Sequence, residues 1–162
     1  MEFFSRWFKA EKTLSAANIL AHLPGRWAGP GKTYTPAGTQ NFRVELNLSD
    51  PVVMTGMTIL KGRMITFFPS DSKLKTDVEL RLSGAGYWSL VYTQTNVHGR
   101  GKLIGNKLEF LQKDPSGKSA GQTLEIWNFL SPDHIFVENF ILGPRGEKEP
   151  FLKIMLQKNV GV

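Results

Sequence analysis

Hydrophobic and polar residues alternate over long stretches of this chain. The segment Asn41–Leu48 alternates strictly, and Asp77–Leu82 repeats the pattern. Because successive side chains of a β-strand point to opposite faces, each segment predicts a strand with one face buried and the other in water. The buried face of the first segment would consist of Phe42, Val44, Leu46 and Leu48.

Eight further segments favour strands, and turn-forming residues separate most of them. These strands are predicted at Val52–Lys61, Met64–Phe68, Tyr87–Thr93, Arg100–Ile104, Lys107–Leu111, Thr123–Leu130, His134–Leu142 and Phe151–Gln157. Turns are predicted at Lys61–Arg63, Gly105–Asn106, Asp114–Gly117, Ser131–Asp133 and Gly143–Gly146. Because long helices are missing between the strands, the pattern predicts an all-β, antiparallel up-and-down barrel of about 8–10 strands.

The first 23 residues follow a helical period instead. Phe3, Phe4, Trp7 and Phe8 recur at helical spacing, and the pair Pro24-Gly25 ends the pattern. We therefore predict one domain over residues 1–162, with a helical segment at 1–23 and a barrel at 24–158. The helical segment would pack against the barrel as a lid, or alternatively make weak contact with a membrane surface.

Composition narrows the class of protein. Twenty basic and 14 acidic residues give a net charge of +6, which favours anionic partners. The positive residues form no dense run, so no specific nucleic acid is expected. The chain has no cysteine, which excludes disulfides and thiolate chemistry. It has neither an apolar run of roughly 20 residues nor a recognisable secretory leader, and we therefore expect a cytoplasmic protein.

The entry into the strand series carries a further signal. A short helical run ends at Pro24-Gly25, and the Gly25-Arg26-Trp27 motif opens the strands. This arrangement resembles the lipocalin-like (calycin) families, in particular their intracellular and bacterial members. The resemblance implies a barrel closed around a small molecule. It also implies that Trp27, beside Gly25, lies at the barrel floor under a basic residue of the last strand, Lys158 or Lys153. A cation over an indole ring contributes about 0.5–2 kcal/mol.

The aromatic residues of the middle and late strands are candidates for the wall of such a cavity. We predict that Tyr92, Trp127 and Phe140 contact the ligand, with Glu138 beside them and Arg43 as an anchor for an anionic group. Like Glu138, Glu125 is a carboxylate among apolar neighbours, and it shares a strand face with Trp127. An apolar wall with a few polar anchors is typical of a small-molecule pocket, so the predicted function is binding or transport of a small hydrophobic or amphipathic molecule.

Two other functions remain open at this stage. The first is an enzyme on the same barrel, such as an isomerase or a lyase, with Glu138 or His98 as general acid–base. No catalytic motif is present in the sequence, and the prediction therefore leans away from an enzyme. The second is a peripheral membrane or nucleic-acid binder that uses the positive charge.

No metal or cofactor is predicted, because the three histidines lack metal-ligand spacing. His22 lies on the helix that is predicted before the barrel, and His98 lies next to Gly99 in a predicted bend. If haem were bound, His134 would be the candidate axial ligand, because it opens a late strand of the barrel.

Overall fold

Ten antiparallel strands close into a barrel in this computed structural model, which describes residues 14–94, 97–113 and 122–159. A short helix, α1 (Ala16–His22), precedes the barrel. The strands are β1 (Gly25–Thr35), β2 (Gly38–Leu48), β3 (Val52–Met54), β4 (Met57–Phe67), β5 (Lys73–Ser83), β6 (Trp88–Tyr92), β7 (Val97–Ile104), β8 (Lys107–Lys113), β9 (Gln122–Ser131), β10 (His134–Leu142) and β11 (Lys148–Lys158). The predicted fold class is confirmed.

Apart from β2 and β3, strands that follow each other in the chain pair with each other, as expected for an up-and-down barrel. Pairing of β1 with β11 joins the first and the last strand, and pairing of β2 with β4 closes the ring. The short β3 pairs with the first residues of β4, from Val52 opposite Ile59 to Met54 opposite Met57. This hairpin extends beyond the ring, so ten of the eleven strands form the barrel.

The predicted turn at Lys61–Arg63 is wrong, because β4 runs through it without a break. Gly62 lies opposite Leu48 at the seam where β2 closes on β4. A side chain at Gly62 would overlap the backbone of Asn47, so this glycine permits a close approach of two strands rather than a turn. The turn predicted at Gly105-Asn106 is confirmed, and Gly105 has a positive φ of 62°.

The half of the barrel next to α1 is filled with side chains. Leu60, Leu80, Leu90, Leu108 and Phe110 are fully buried there. Gly101 on β7 leaves room for the Phe110 ring, because a Cβ at this position would lie only 2.5 Å from Cδ1 of that ring. Alternating residues of at least five strands therefore build a continuous hydrophobic core in this half.

Helix α1 covers the floor of the barrel, and two floor side chains bind its last carbonyls. Trp27 Nε1 donates a hydrogen bond to the carbonyl of Leu23 at 2.8 Å. Lys158 Nζ donates to the carbonyl of His22 at 2.6 Å and lies 5.5 Å from the centroid of the Trp27 ring. Gly25 has a φ of 130°, and a Cβ at this position would lie 3.0 Å from Cε of Lys158. The end of the helix, which has unpaired carbonyls, is thereby fixed to the barrel.

Two predicted segments lie outside the described residues. These are the aromatic residues Phe3, Phe4, Trp7 and Phe8, and the turn at Asp114–Gly117. Of the helices in the described ranges, none has the length and apolar character needed to cross a membrane.

Candidate functional site

A cavity of about 200 Å³ occupies the half of the barrel opposite α1. Its wall is mostly apolar and comes from strands on all sides of the ring. The aliphatic lining residues include Val44, Leu46, Val78, Val137 and Ile154. These are the inward residues of alternating strands, so the period of two that buries the core also lines the cavity.

Burial along β10 and β11 shows how the cavity is closed. Next to the floor, the facing pair Ile135 and Leu156 is 0% and 2% exposed. Further along, Val137 and Ile154 are also buried, at 5% and 7% exposed. Asn139, the next inward residue of β10, is only partly buried. The cavity is therefore sealed by the floor and becomes more accessible towards the opposite end of the barrel.

One carboxylate lies in this wall. Glu125 is 2% exposed, and four neutral side chains surround its two oxygens. Tyr92 Oη donates to Oε2 at 2.8 Å, and Trp127 Nε1 donates to the same oxygen at 2.6 Å. Gln112 Nε2 donates to Oε1 at 3.3 Å. With its amide nitrogen facing Glu125, Asn139 donates to Oε1 at 3.2 Å. All five of these residues line the cavity.

Strand register explains why these groups meet. Thr123, Glu125 and Trp127 are successive inward residues of β9. Gln112 on β8 lies directly opposite Thr123, whose Oγ1 donates to Gln112 Oε1 at 3.0 Å. Asn139 on β10 lies directly opposite Glu125. Both neighbouring strands thus supply a donor to the carboxylate, and the bond from Thr123 orients one of them.

The electrostatics of the cluster are unusual for a buried acid. Burial raises the pKa of the Glu125 carboxyl, and its four hydrogen bonds act in the opposite direction. Burial, followed by the charge of Glu125, raises the pKa of Tyr92 well above its ordinary value. In the described part of the chain, no Lys or Arg forms an ion pair with Glu125. Neutral dipoles, rather than a cation, solvate this carboxylate.

The structure separates the five predicted ligand-contact residues. Tyr92 and Trp127 line the cavity and meet at Glu125. Arg43 lies on the polar outer face of β2, with its side chain 61% exposed and Nη1 3.5 Å from Glu45 Oε2. It is therefore directed away from the cavity, because the inward residues of β2 are its buried apolar neighbours.

Glu138 and Phe140 are also absent from the cavity wall. Both faces of β10 are largely apolar, so the sequence does not distinguish the inward face. The structure turns Val137 and Asn139 inward, and Glu138 therefore points outward, opposite Lys153 of β11. A register shift follows Asn139, and Phe140 lies beneath Lys148 Nζ at 5.9 Å from the ring centroid. A role for either residue in binding stays a prediction.

Neither His98, the candidate acid–base residue, nor His134, the candidate haem ligand, lines the cavity. His98 is exposed on β7, opposite Val91. His134 begins β10 near the floor, and its Nδ1 lies 3.0 Å from Ser131 Oγ. No group of three His, Asp or Glu side chains among the described residues is arranged to hold a metal ion.

Glu125, at the centre of the site, is not among the residues predicted to contact the ligand. The signal was present, because Glu125 shares a strand face with Trp127. The alternation along β9 does not show that Gln112, Tyr92 and Asn139 donate hydrogen bonds to Glu125, because these residues lie on three other strands. Their meeting depends on strand register and barrel closure, which alternation alone does not specify.

Comparisons with known proteins give structural likeness without close sequence likeness. No protein-family model and no curated protein matches the chain. An S-type phycobiliprotein lyase from Guillardia theta superimposes with a TM-score of 0.70 at 11% identity, over 95% of this chain and 98% of that chain. Rv2717c from M. tuberculosis superimposes with a TM-score of 0.59 at 15% identity, over 91% of this chain and 99% of that chain. The ten-stranded barrel, its helix-covered floor and these neighbours together show that the chain has the lipocalin-like (calycin) β-barrel fold.

Proposed function

We propose that this protein binds a small, largely apolar molecule in the cavity beside Glu125. The observation that carries the proposal is a cavity of about 200 Å³ with an aliphatic wall and one concentrated polar cluster. Small-molecule sites typically combine an apolar enclosure with a few placed polar groups. Sites for drug-sized ligands usually occupy about 300–1,000 Å³, so the ligand here is smaller, of the size of one or two fused rings.

The outer surface favours this proposal over binding of a polyanion. Positive side chains there are interspersed with carboxylates, and several form ion pairs. The pairs are Arg43–Glu45, Arg63–Asp77 and Arg81–Glu79. Nucleic-acid binding depends on many positive groups that are free to contact phosphates. These three cations are already paired with carboxylates, which leaves them less free to contact the phosphates of such a partner.

The experiment measures binding of 1-naphthylmethanol, a neutral two-ring probe, by calorimetry. In one variant, Leu152→Trp, an indole is placed where Leu152 lines the cavity. In the matched control, Met155→Trp, an indole is introduced three residues further along β11, at a side chain that is 37% exposed. We expect the wild type and the control to bind the probe and the Leu152→Trp variant to bind at least tenfold more weakly.

Equal binding by both variants, or no binding to the wild type, would contradict the proposal. Native mass spectrometry of freshly purified protein provides a second test. A bound mass released unchanged supports a carrier. A probe or ligand recovered in chemically altered form would instead favour an enzyme, for which Glu125 and Tyr92 are titratable groups that line the cavity.

A further inference from the structure

We infer, on the basis of the proposed function, that the ligand of this cavity carries a positively charged nitrogen, such as a protonated amine, which binds beside Glu125. The inference concerns the charge class of the ligand. It contrasts with the expectation from sequence, in which Arg43 would anchor an anionic group. Three features of the site support a cationic ligand: the hydrogen bonds of Glu125, the lack of a cation paired with it among the described residues, and its access from the cavity.

The hydrogen bonds around Glu125 fit an ionised carboxylate. An ionised carboxylate accepts at about four positions on its two oxygens and donates at none. Trp127 and Tyr92 both donate to Oε2, while Gln112 and Asn139 donate to Oε1. A protonated carboxyl would have to donate one bond into this set. The indole N–H of Trp127 can only donate, so Oε2 accepts from it in either state of the carboxyl. The charged form accepts from all four neighbours, whereas the neutral form would require the amide of Gln112 or Asn139 to turn.

The negative charge has no partner of opposite sign among the described residues. The three described Lys or Arg ion pairs lie on the outer surface, where each cation pairs with an outer carboxylate. Lys158, which is part of the floor, donates to a helix carbonyl. A buried charge that is solvated only by neutral groups remains costly. A cationic ligand would supply the missing counter-charge, whereas an anionic ligand would place two like charges in one cavity.

The cluster is reachable from the cavity. Glu125, Tyr92, Gln112 and Asn139 all line it, and Tyr92 and Asn139 are the partly exposed members on the side away from the floor. Tyr92 gives its only hydroxyl proton to Glu125, so its oxygen keeps a lone pair for a donor on a ligand. An ammonium group in the cavity could therefore contact Tyr92 while it lies beside the carboxylate.

Titration behaviour agrees with this geometry. Burial raises the pKa of Glu125 because the charged form is less stable inside the barrel than in water. A cation in the cavity would favour the charged form and lower that pKa again. Binding of a cationic ligand should therefore release part of a proton wherever free Glu125 is partly protonated.

The test compares three two-ring probes of nearly equal size by calorimetry. They are 1-naphthylmethylamine, which is cationic at pH 7, neutral 1-naphthylmethanol and anionic 1-naphthoate. We expect the wild type to bind the amine at least tenfold more tightly than the alcohol, and the acid most weakly. In Glu125→Gln, the affinity for the amine should fall at least tenfold, to that for the alcohol. The control Glu138→Gln should keep the preference of the wild type.

Equal affinities for the amine and the alcohol, or tighter binding of 1-naphthoate, would overturn the inference and leave the proposed function standing. A preference for the amine that survives in Glu125→Gln would overturn the assignment to Glu125. If the alcohol and the other probes all fail to bind the wild type, the proposed function fails first. The comparison of three probes on the wild type does not require any variant to fold.

Discussion

The two halves of the barrel contain charged groups of opposite sign, and the surroundings of these two groups differ. At the floor, the Lys158 ammonium lies against the Trp27 ring and donates to a helix carbonyl. In the cavity half, the Glu125 carboxylate lies against the Trp127 indole and accepts from four neutral donors. The floor is packed with side chains, whereas space of about 200 Å³ remains beside Glu125.

This difference separates a structural site from a candidate functional site. At the floor, the Trp27 and Lys158 side chains each have a partner on α1, and these two bonds fix the helix to the barrel. In the cavity half, several groups from different strands donate hydrogen bonds to one carboxylate that lies next to open space. Stability alone would be served better by an apolar side chain at that position. Changes at the floor should therefore affect stability, and changes at Glu125 should affect pH dependence and ligand choice.

The largest effect is expected for Trp27→Ala. This change removes a fully buried indole, its hydrogen bond to Leu23 and the surface on which Lys158 lies. Loss of a buried aromatic side chain costs about 3–5 kcal/mol in the free energy of unfolding. Urea denaturation measures the change. The control Trp27→Phe keeps a ring but loses the N–H donor, and it should lose less. A loss below about 1 kcal/mol for Trp27→Ala would show that the floor contributes little to the free energy of unfolding.

The next largest effect is expected in the packed half for Gly101→Ala. The added methyl group would overlap the fully buried Phe110 ring and the backbone of Glu109. Overpacking of a core costs about 1–3 kcal/mol. Urea denaturation of Gly101→Ala, Phe110→Leu and the double variant forms a double-mutant cycle. Because a smaller side chain at Phe110 relieves the overlap, the two changes should be less destabilising together than their sum. Additive effects would contradict the proposed contact.

Much of the fold could be predicted from the sequence. The strict alternation in Asn41–Leu48 and Asp77–Leu82 reflects one buried face, and both segments lie in strands. The wrong turn at Lys61–Arg63 has a physical cause. Glycine is compatible with turns and also with close contact between strands. At Gly62 the requirement comes from Asn47 and Leu48 of the neighbouring strand, which a local reading of the sequence does not include.

The candidate site could be predicted only in part. Tyr92 and Trp127 could be chosen because aromatic residues in middle and late strands are natural wall residues. Glu125 and Glu138 could not be told apart, because each stands among apolar neighbours in its own strand. Strand register decides between them by turning Asn139 rather than Glu138 towards the cavity. A register difference of one residue exchanges the two faces of a strand.

A smaller effect is expected at the floor for Lys158→Met. Methionine keeps an apolar stem, but the hydrogen bond to the carbonyl of His22 and the contact with the Trp27 ring are lost. The expected loss is about 1–2 kcal/mol in the free energy of unfolding. The matched control is Lys153→Met, since Lys153 lies 5.5 Å from the Tyr34 ring on the exposed side of the same strand. Equal melting temperatures for the two variants would contradict a special role for the floor cation.

The smallest change at acid pH, and the sharpest separation of the two regions, is expected for Glu125→Gln. The amide oxygen of glutamine can accept from Tyr92 and Trp127. Its amide group can face Gln112 and Asn139, whose own amides can turn to present oxygen. The variant therefore keeps the size and the hydrogen bonds of the site while it removes the charge. Urea denaturation from pH 4 to pH 8 compares it with the wild type and with the control Glu138→Gln.

The direction of the pH effect follows from the pKa of Glu125, which burial raises above 4.5 in the folded protein. Between the unfolded and the folded pKa, the folded state binds more protons than the unfolded state. The contribution of the carboxyl to stability is therefore complete below the unfolded pKa and declines as the pH rises through the folded pKa. Wild type should lose stability relative to Glu125→Gln from about pH 4.5 upward, while Glu138→Gln follows the wild type. Parallel curves for wild type and Glu125→Gln would mean that the charge is balanced inside the barrel, and the contrast with the floor would then disappear.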